Sequence, residues 1–160
     1  MSTSRWIVLA ATAVLGPAAL AADLQLGTWM LNPGKSKYNP GPPPQSGVVK
    51  IEAHESGIRY YAKAVDAEGR DIRPVEFTAN YDGKDYAVRG STMADVVSLK
   101  RLDANTVEFT YKKSGKAVVT ATSVVSPDQL TRTVTMKTSP SSGRQIENTA
   151  VYELDRSGRP

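Results

Sequence analysis

Residues 106–121, TVEFTYKKSGKAVVTA, are the stretch that decides the fold. In its first half, Val107, Phe109 and Tyr111 occupy every second position and are separated by glutamate and threonine. Because successive side chains of a β-strand point to opposite sides, this alternation is typical of a strand with one buried face. A serine–glycine pair at 114–115 then supplies a tight reversal, after which the apolar alternation resumes. The stretch predicts two antiparallel strands joined by a short hairpin.

The same pattern extends over the rest of the chain. From Val48 onward, turn-forming residues recur between segments of roughly 5–10 residues that are rich in Val, Thr, Tyr and Ile, as strands are. These segments predict nine strands, and a further strand is expected around residues 29–31. The connections are too short for a crossover helix, so neighbouring strands pair antiparallel. Since an open meander leaves two bare edges, the sequence predicts an all-β fold, an antiparallel up-and-down β-barrel of eight to ten strands.

The alternation also predicts which side chains point into the barrel. We expect the large ones to line an apolar cavity of ~300–1,000 Å³ that holds a small hydrophobic molecule, such as a fatty acid. The predicted ligand-binding residues are Tyr60, Phe77, Val97, Phe109, Arg132, Met136 and Tyr152. The other residues predicted to face inward are Val49, Ile51, Ile58, Val75, Tyr86, Val88, Leu99, Val107, Tyr111, Val119, Ala121, Leu130, Val134, Ile146 and Ala150.

Arg132 is the most unusual of these placements, because a charged group inside a barrel is costly unless it is paired or hydrated. Three roles are open. The side chain can lie at the barrel mouth with its head group in water. It can pair with an internal acid or stack on Trp29 and so close the barrel end. It can also serve as a cavity cation for an anionic ligand, since its planar fork matches a carboxylate.

The N-terminus indicates export. Arg5 precedes an apolar run that ends in small residues at positions 19 and 21, which suit a signal peptidase, and we place the cut before Ala22. The apolar run falls short of the ~20 residues that a membrane span needs. We therefore predict a signal peptide at residues 1–21, no stable membrane insertion, and a periplasmic or secreted protein.

Removing the signal peptide from the 160-residue chain leaves 139 residues, which is enough for one domain with a real core. We assign residues 22–156 to a single barrel domain and residues 157–160 to a disordered tail. The chain has no cysteine, so no disulfide stabilises it. The outward strand faces carry no contiguous apolar run, and we expect a monomer.

Residues 32–46 depart from the strand pattern. They contain five of the chain's ten prolines, which lack the N–H donor that a strand or a helix requires. The sequence predicts an extended surface loop across one end of the barrel. Two roles remain open for this proline-rich loop: a stiff connector, or a lid or partner-binding segment whose working side chains are Lys35, Lys37 and Tyr38.

Catalysis, metal binding and nucleic-acid binding are not indicated. His54, the only histidine, falls on an outward face beside a turn, and a zinc or copper site without cysteine would rest on carboxylates, which rarely suffice. Glu76 and Glu108 also face outward, so no pair of acids meets inside. The net charge of +4 is spread along the chain without a basic run. We predict a protein that is not an enzyme and uses no cofactor.

The first predicted strand carries a family resemblance. Gly27-Thr28-Trp29, followed by a hairpin meander that Val151-Tyr152-Glu153 closes, resembles the calycin superfamily, which comprises lipocalins and intracellular fatty-acid-binding proteins. Residues 27–37 and 81–86 resemble more closely a group of exported bacterial lipocalin-like proteins of unassigned function. The resemblance covers the whole mature chain.

This resemblance implies a role for Trp29. The tryptophan would pack across the closed end of the barrel beneath an arginine, for which Arg132 and Arg156 are the candidates. Fatty-acid-binding proteins end in an Arg-x-Tyr pair that grips a carboxylate; here Tyr152 matches the tyrosine, but Ala150 stands in place of the arginine. The two lid helices of those proteins are missing, and the proline-rich loop takes their place.

Two functions of different kinds follow. The first is a binding protein that holds a small lipophilic molecule inside the barrel. The alternative is a self-packed structural or interaction barrel that docks a protein partner through its proline-rich loop. Strand count separates them, because eight strands can be filled by their own side chains whereas ten leave space, and a dry, packed interior would exclude the first function.

Overall fold

The structure is a computed structural model that describes residues 22–138 and 145–157. The expected signal peptide and residues 158–160 of the expected tail lie outside this range. The described residues form ten strands and one 3-10 helix, Pro33–Lys35. The strands are β1 (Gly27–Leu31), β2 (Ser46–His54), β3 (Gly57–Val65), β4 (Asp71–Asn80), β5 (Tyr86–Ala87), β6 (Val96–Arg101), β7 (Thr106–Lys113), β8 (Lys116–Val125), β9 (Thr131–Thr138) and β10 (Ile146–Leu154).

The ten strands form one antiparallel sheet in the order β4-β3-β2-β1-β10-β9-β8-β7-β6-β5. Strands that are adjacent in sequence are paired, except that β4 and β5 meet only loosely. In addition, β1 pairs with β10. Because the sheet curls back on itself, its two outer strands approach each other and nearly close a barrel. The predicted all-β, up-and-down antiparallel barrel is confirmed, and it has ten strands.

The line where β4 meets β5 is the seam of the barrel. One pair of backbone hydrogen bonds crosses it: the Glu76 amide donates to the Arg89 carbonyl over 3.0 Å, and the Arg89 amide donates to the Glu76 carbonyl over 2.8 Å. The next residue, Gly90, has a φ of +80°, and a Cβ there would overlap the Pro74 carbonyl oxygen. Glycine is therefore required for the segments to meet.

The stretch at 106–121 forms the β7–β8 hairpin, as its pattern predicts. Ser114 and Gly115 both have positive φ, at 49° and 77°, which matches the twist of the two strands they join. The Asp95 carboxylate accepts a hydrogen bond from the Ser114 amide over 2.9 Å and so supports the turn. The hairpin presents Val107 and Phe109 to the interior, both almost completely buried.

The core is the barrel interior, and most residues predicted to face inward lie there. Leu130 is the exception: it is 37% exposed in the β8–β9 turn, so that prediction was wrong. The alternation was extended one residue too far, because β9 begins only at Thr131. The buried apolar residues of the core are Trp29, Val49, Ile51, Ile58, Phe77, Ala79, Val97, Leu99, Val107, Phe109, Ala121, Val125, Val134 and Ala150.

Up-and-down connectivity gives the barrel two distinct ends. We call the end that holds the start of β1 and the short β2–β3, β6–β7 and β8–β9 turns the lower end. The segment that precedes β1 lies against it, since Leu24 and Leu26 pack on the core and Gln25 is fully buried. The proline-rich loop and the β3–β4, β5–β6 and β7–β8 connections lie at the other end, which we call the upper end.

Candidate functional site

An apolar cavity of about 220 Å³ lies inside the barrel towards the upper end. Its wall combines inward side chains of five strands with the β5–β6 connection. Met93 of that connection is 62% exposed, so it lies at the boundary between this interior cavity and solvent. The lining residues are Tyr60, Ala62, Val75, Ser91, Met93, Ala94, Tyr111, Val119 and Met136.

Four aromatic rings form a cluster at the centre of the barrel. Tyr60 stacks on Phe77 with ring centroids 4.6 Å apart and planes 7° apart. Phe109 meets both rings edge-on at 6.3 and 6.5 Å, and Tyr111 meets Phe77 edge-on at 6.4 Å. Pairs of this geometry contribute about 0.5–1.5 kcal/mol each beyond their buried area. The four rings pack against one another inside the barrel, and Tyr60 and Tyr111 also form one wall of the cavity.

Arg132 projects from β9 into the interior and is only 2% exposed. Its guanidinium carbon lies 5.6 Å from the ring centre of Tyr152, its cross-strand neighbour on β10. Its Nε lies 3.4 Å from Oε1 of Gln25. Among the described residues, Nη1 has no hydrogen-bond partner and no acidic side chain forms a salt bridge with the guanidinium. This burial does not fit a head group in water at the mouth.

The tyrosines around Arg132 remain protonated at neutral pH. Burial raises the pKa of the Tyr111 phenol well above its usual value, and it also raises the pKa of Tyr60 and of Tyr152. The positive charge of Arg132 lowers the pKa of all three phenols, but by less than burial raises it. Neutral phenols can donate a hydrogen bond to an anion, but they do not neutralise a guanidinium.

Gln25 organises the lower end, and the sequence patterns did not identify it. Its Oε1 accepts a 2.7 Å hydrogen bond from the Ser123 hydroxyl, and its Nε2 donates to the Asn105 carbonyl over 2.9 Å. Its main-chain carbonyl accepts from the Trp29 indole over 3.0 Å. A glutamine in a segment without alternation gives no sign of burial; the only available signal was its position just before the Gly-x-Trp stretch.

A second polar group closes the lower end beside Gln25. The Asp23 carboxylate accepts from the Tyr81 hydroxyl over 2.7 Å and pairs with Arg101 over 2.8 Å, while the Arg101 guanidinium lies 4.2 Å from the Tyr81 ring centre. We call these three residues the Asp23 clasp. Burial raises the pKa of Tyr81, and its hydrogen bond to Asp23 raises that pKa further. The clasp ties the segment before β1 to β6 and to the end of β4.

The structure separates the two arginines proposed to cover Trp29. Trp29 is 1% exposed, in keeping with a position across the lower end. Arg132 lies inside the barrel against Tyr152, whereas Arg156 is exposed beyond the end of β10. Arg101, which the sequence reasoning did not single out, is the arginine of the Asp23 clasp.

The other predicted ligand-binding residues divide into three groups. Tyr60 and Met136 line the interior cavity. Phe77 and Phe109 belong to the aromatic cluster beneath it, and Val97 is fully buried in the core. Tyr152 is half-buried beside Arg132. The structure therefore brings these residues into one interior. Of the seven, Tyr60 and Met136 line the interior cavity, and Tyr60 and Phe77 also line a hollow of about 500 Å³ along the seam.

The proline-rich loop is tied to β10 before it reaches the upper end. Lys37 and Thr149 exchange backbone hydrogen bonds of 2.8 and 2.7 Å, and the buried Ser36 hydroxyl accepts from the Val151 amide over 3.0 Å. Tyr38 is half-buried against the core, and burial raises the pKa of its phenol. The first part of the loop therefore continues the line of β1.

Two larger hollows, each about 500 Å³, lie on the outer surface. One follows the seam: Arg59, Tyr61 and Arg89 form part of its wall, and Tyr60 and Phe77 of the aromatic cluster form another part. The other crosses the outer faces of β1 to β4 and includes Met30 and Ile72, which are 42% and 44% exposed. Both are open to solvent, and the interior cavity also opens to solvent beside Met93.

Within residues 22–138 and 145–157, no group of three or more His, Asp or Glu side chains could hold a metal ion. The same residues include no helix long and apolar enough to cross a membrane. His54 lies at the end of β2, half-buried beside the β2–β3 turn. In comparisons with known proteins, no family model and no curated protein matches the sequence.

Proposed function

We propose that the chain is an exported, lipocalin-like binding protein that holds a small lipophilic molecule in its interior cavity without catalysing a reaction on it. One observation carries the proposal: the apolar cavity between Tyr60, Tyr111 and Met136, with the β5–β6 connection at its solvent boundary. Binding sites for small molecules are concave and mostly apolar with a few polar groups, and phenol hydroxyls supply those groups here.

Cavity volume narrows the class of ligand. The interior cavity of about 220 Å³ is smaller than the ~300–1,000 Å³ of sites for drug-sized ligands. It is larger than the ~150 Å³ engineered cavity that accepts benzene. A molecule with one ring, or a short branched chain, matches this volume better than an extended fatty acid.

The aromatic cluster favours the alternative function, a self-packed barrel whose proline-rich loop docks a partner. Four rings pack against one another in the interior, and an interior filled by side chains needs no ligand. The two proposals differ in one measurable property, which is whether the interior takes up an apolar molecule.

The first test is native mass spectrometry of the protein recovered from the periplasmic fraction of its source cells. A discrete added mass, identified after organic extraction, would support the binding function, and a chain that begins at Ala22 would support export. Bare protein from several preparations that also takes up no toluene would contradict the binding function and favour the self-packed barrel.

A matched pair of variants locates the binding. Ala62→Leu adds bulk to the cavity wall on β3, whereas Ala117→Leu adds the same bulk at an exposed position of β8. We expect toluene, followed by amide chemical shifts, to bind the Ala117→Leu variant as it binds the wild type and to lose affinity for the Ala62→Leu variant. Equal affinities in both variants would place the bound toluene outside the interior cavity.

A further inference from the structure

Arg132 brings a positive charge into the barrel that the described residues do not balance. It is 2% exposed, and its Nη1 has no partner among those residues. The nearby acid of the lower end, Asp23, already binds Arg101 and the Tyr81 hydroxyl. Burying a guanidinium is unfavourable unless a counter-charge and hydrogen bonds compensate for the lost water.

The neighbouring tyrosines do not supply that counter-charge. Tyr60, Tyr111 and Tyr152 are held in the neutral form by burial, which raises the pKa of each phenol. They do supply hydrogen-bond donors, and the charge of Arg132 acts on all three. An anion that accepts hydrogen bonds from both the guanidinium and the phenols would complete this arrangement.

Tyr60 and Tyr111 are the residues that connect the interior cavity with this arrangement. Both tyrosines line the cavity, and the positive charge of Arg132 lowers the pKa of both phenols. A molecule whose apolar part occupies the cavity would therefore direct a polar group towards these two phenols. Met93 and Met136 lie on the apolar part of the lining.

From these observations we infer that the interior site binds a compact organic acid. Its ring or short chain occupies the cavity, and its carboxylate lies at the inner end, against the Arg132 guanidinium and the hydroxyls of Tyr60 and Tyr111. This inference rests on the proposed binding function and names its ligand class. It places the acid-binding arginine on β9, opposite Tyr152, while the neighbouring inward position on β10 is Ala150.

Two probes of nearly equal shape test the inference. Benzoate carries a carboxylate, whereas nitrobenzene is a neutral molecule of almost the same size. Benzoate loses far more hydration on burial, so it binds more tightly than nitrobenzene only where a buried cation compensates. We expect the wild-type protein to prefer benzoate by about ten- to a hundredfold in dissociation constant, as charge-assisted hydrogen bonds require.

A substitution assigns the preference to one residue. Arg132→Met removes the charge while keeping a long apolar stem, and Arg73→Met removes an exposed arginine of β4 as the control. We expect Arg132→Met to reverse the preference in favour of nitrobenzene and Arg73→Met to leave the preference unchanged. Isothermal calorimetry of both probes with each protein measures this directly.

The outcomes are distinct. Tighter binding of nitrobenzene than of benzoate by the wild type would overturn the acid inference and leave the binding function standing. Binding of neither probe would overturn both. If Arg132→Met does not fold, the Nε–Hε resonance of Arg132 in the wild type replaces it: a shift on benzoate addition that nitrobenzene does not cause supports the inference, and an unchanged resonance refutes it.

Discussion

Gln25 supplies a polar side chain where the neighbouring groups require one. Ser123 and Arg132 both point their donors at its Oε1, and Asn105 accepts from its Nε2. An apolar side chain of the same size would fill the space but would leave these buried groups unpaired. Each such unpaired group costs about 1–3 kcal/mol.

We therefore expect Gln25→Leu to lower the free energy of unfolding by about 2–4 kcal/mol, mostly through the stranded Ser123 hydroxyl and Asn105 carbonyl. Gln45→Leu is the control, because Gln45 is exposed and its hydrogen bond to the Ala67 carbonyl faces solvent. The control should change stability by no more than about 0.5 kcal/mol. Urea unfolding measures both, and equal losses would show that the Gln25 amide has no special role.

Gly90 lets the two segments of the seam meet because it has no side chain. Both Gly90 and Gly83 have positive φ, at +80° and +73°, but only Gly90 has a neighbour, the Pro74 carbonyl, in the place of a Cβ. The two glycines share the backbone strain and differ in the close approach.

We expect Gly83→Ala to cost about 1 kcal/mol, which is the strain of an alanine at positive φ. Gly90→Ala should cost at least about twice as much, because β4 must also move away from the segment after β5. Urea unfolding of the two variants separates the cost of a positive φ from the cost of the close approach to the Pro74 carbonyl. A Gly90→Ala loss no greater than that of Gly83→Ala would mean that the seam opens freely.

Among the structural elements, the proline-rich loop differs most from its expected position. The low donor content of residues 32–46 predicts an extended loop, but the structure shows its first part bonded along β10. Ser36 makes this possible, because its hydroxyl accepts from the Val151 amide and donates to the Asn32 carbonyl. One side chain thus substitutes for the missing main-chain partner of β10.

Ser36→Ala should release this part of the loop. The Val151 amide would lose its partner, and we expect a loss of about 1–2 kcal/mol in unfolding free energy together with faster hydrogen exchange at Val151. Ser46→Ala, at an exposed position where β2 begins, is the matched control. Unchanged exchange at Val151 in the Ser36→Ala variant would contradict the role given to the hydroxyl.

The strands were predictable because their signal is local. Alternation at Val107, Phe109 and Tyr111 depends only on the pleat of one strand. The same alternation, applied to the strand that contains Arg132, correctly predicted that this arginine points inward. The sequence patterns misplaced Leu130 and did not identify Gln25 or Arg101. The reason is that neither the end of a strand nor a long-range hydrogen bond produces a periodic signal in the sequence. For the same reason the candidate cavity was predicted only in outline: its volume depends on how Tyr60, Phe77 and Phe109 pack together.

At the scale of the whole molecule, the buried phenols make the barrel sensitive to alkali. The unfolded chain releases phenol protons near pH ~10, whereas burial raises the pKa of Tyr60, Tyr111 and Tyr152 in the folded protein. Above that pH the unfolded state binds fewer protons than the folded state, so stability is complete below it and falls as pH rises.

We expect the free energy of unfolding to decline from about pH 10 upward, by at most about 1.4 kcal/mol per pH unit for each buried phenol. Tyr111→Phe should make this decline shallower, since one raised pKa is removed. Urea unfolding at a series of alkaline pH values, with tyrosinate absorbance of the folded protein as a second readout, tests the prediction. A wild-type slope in the variant would contradict it.

The adjacency of β1 and β10 has a consequence for the order in which the protein is made. Leu31 of β1 lies opposite Tyr152 of β10. During synthesis, β1 therefore cannot complete its pairing until β10 has been made. Until β10 has left the ribosome, the growing sheet has a second open edge, and Arg132 and the aromatic cluster remain in contact with water. The barrel therefore seals only after β10 has been synthesised, and the growing sheet stays unsealed until then.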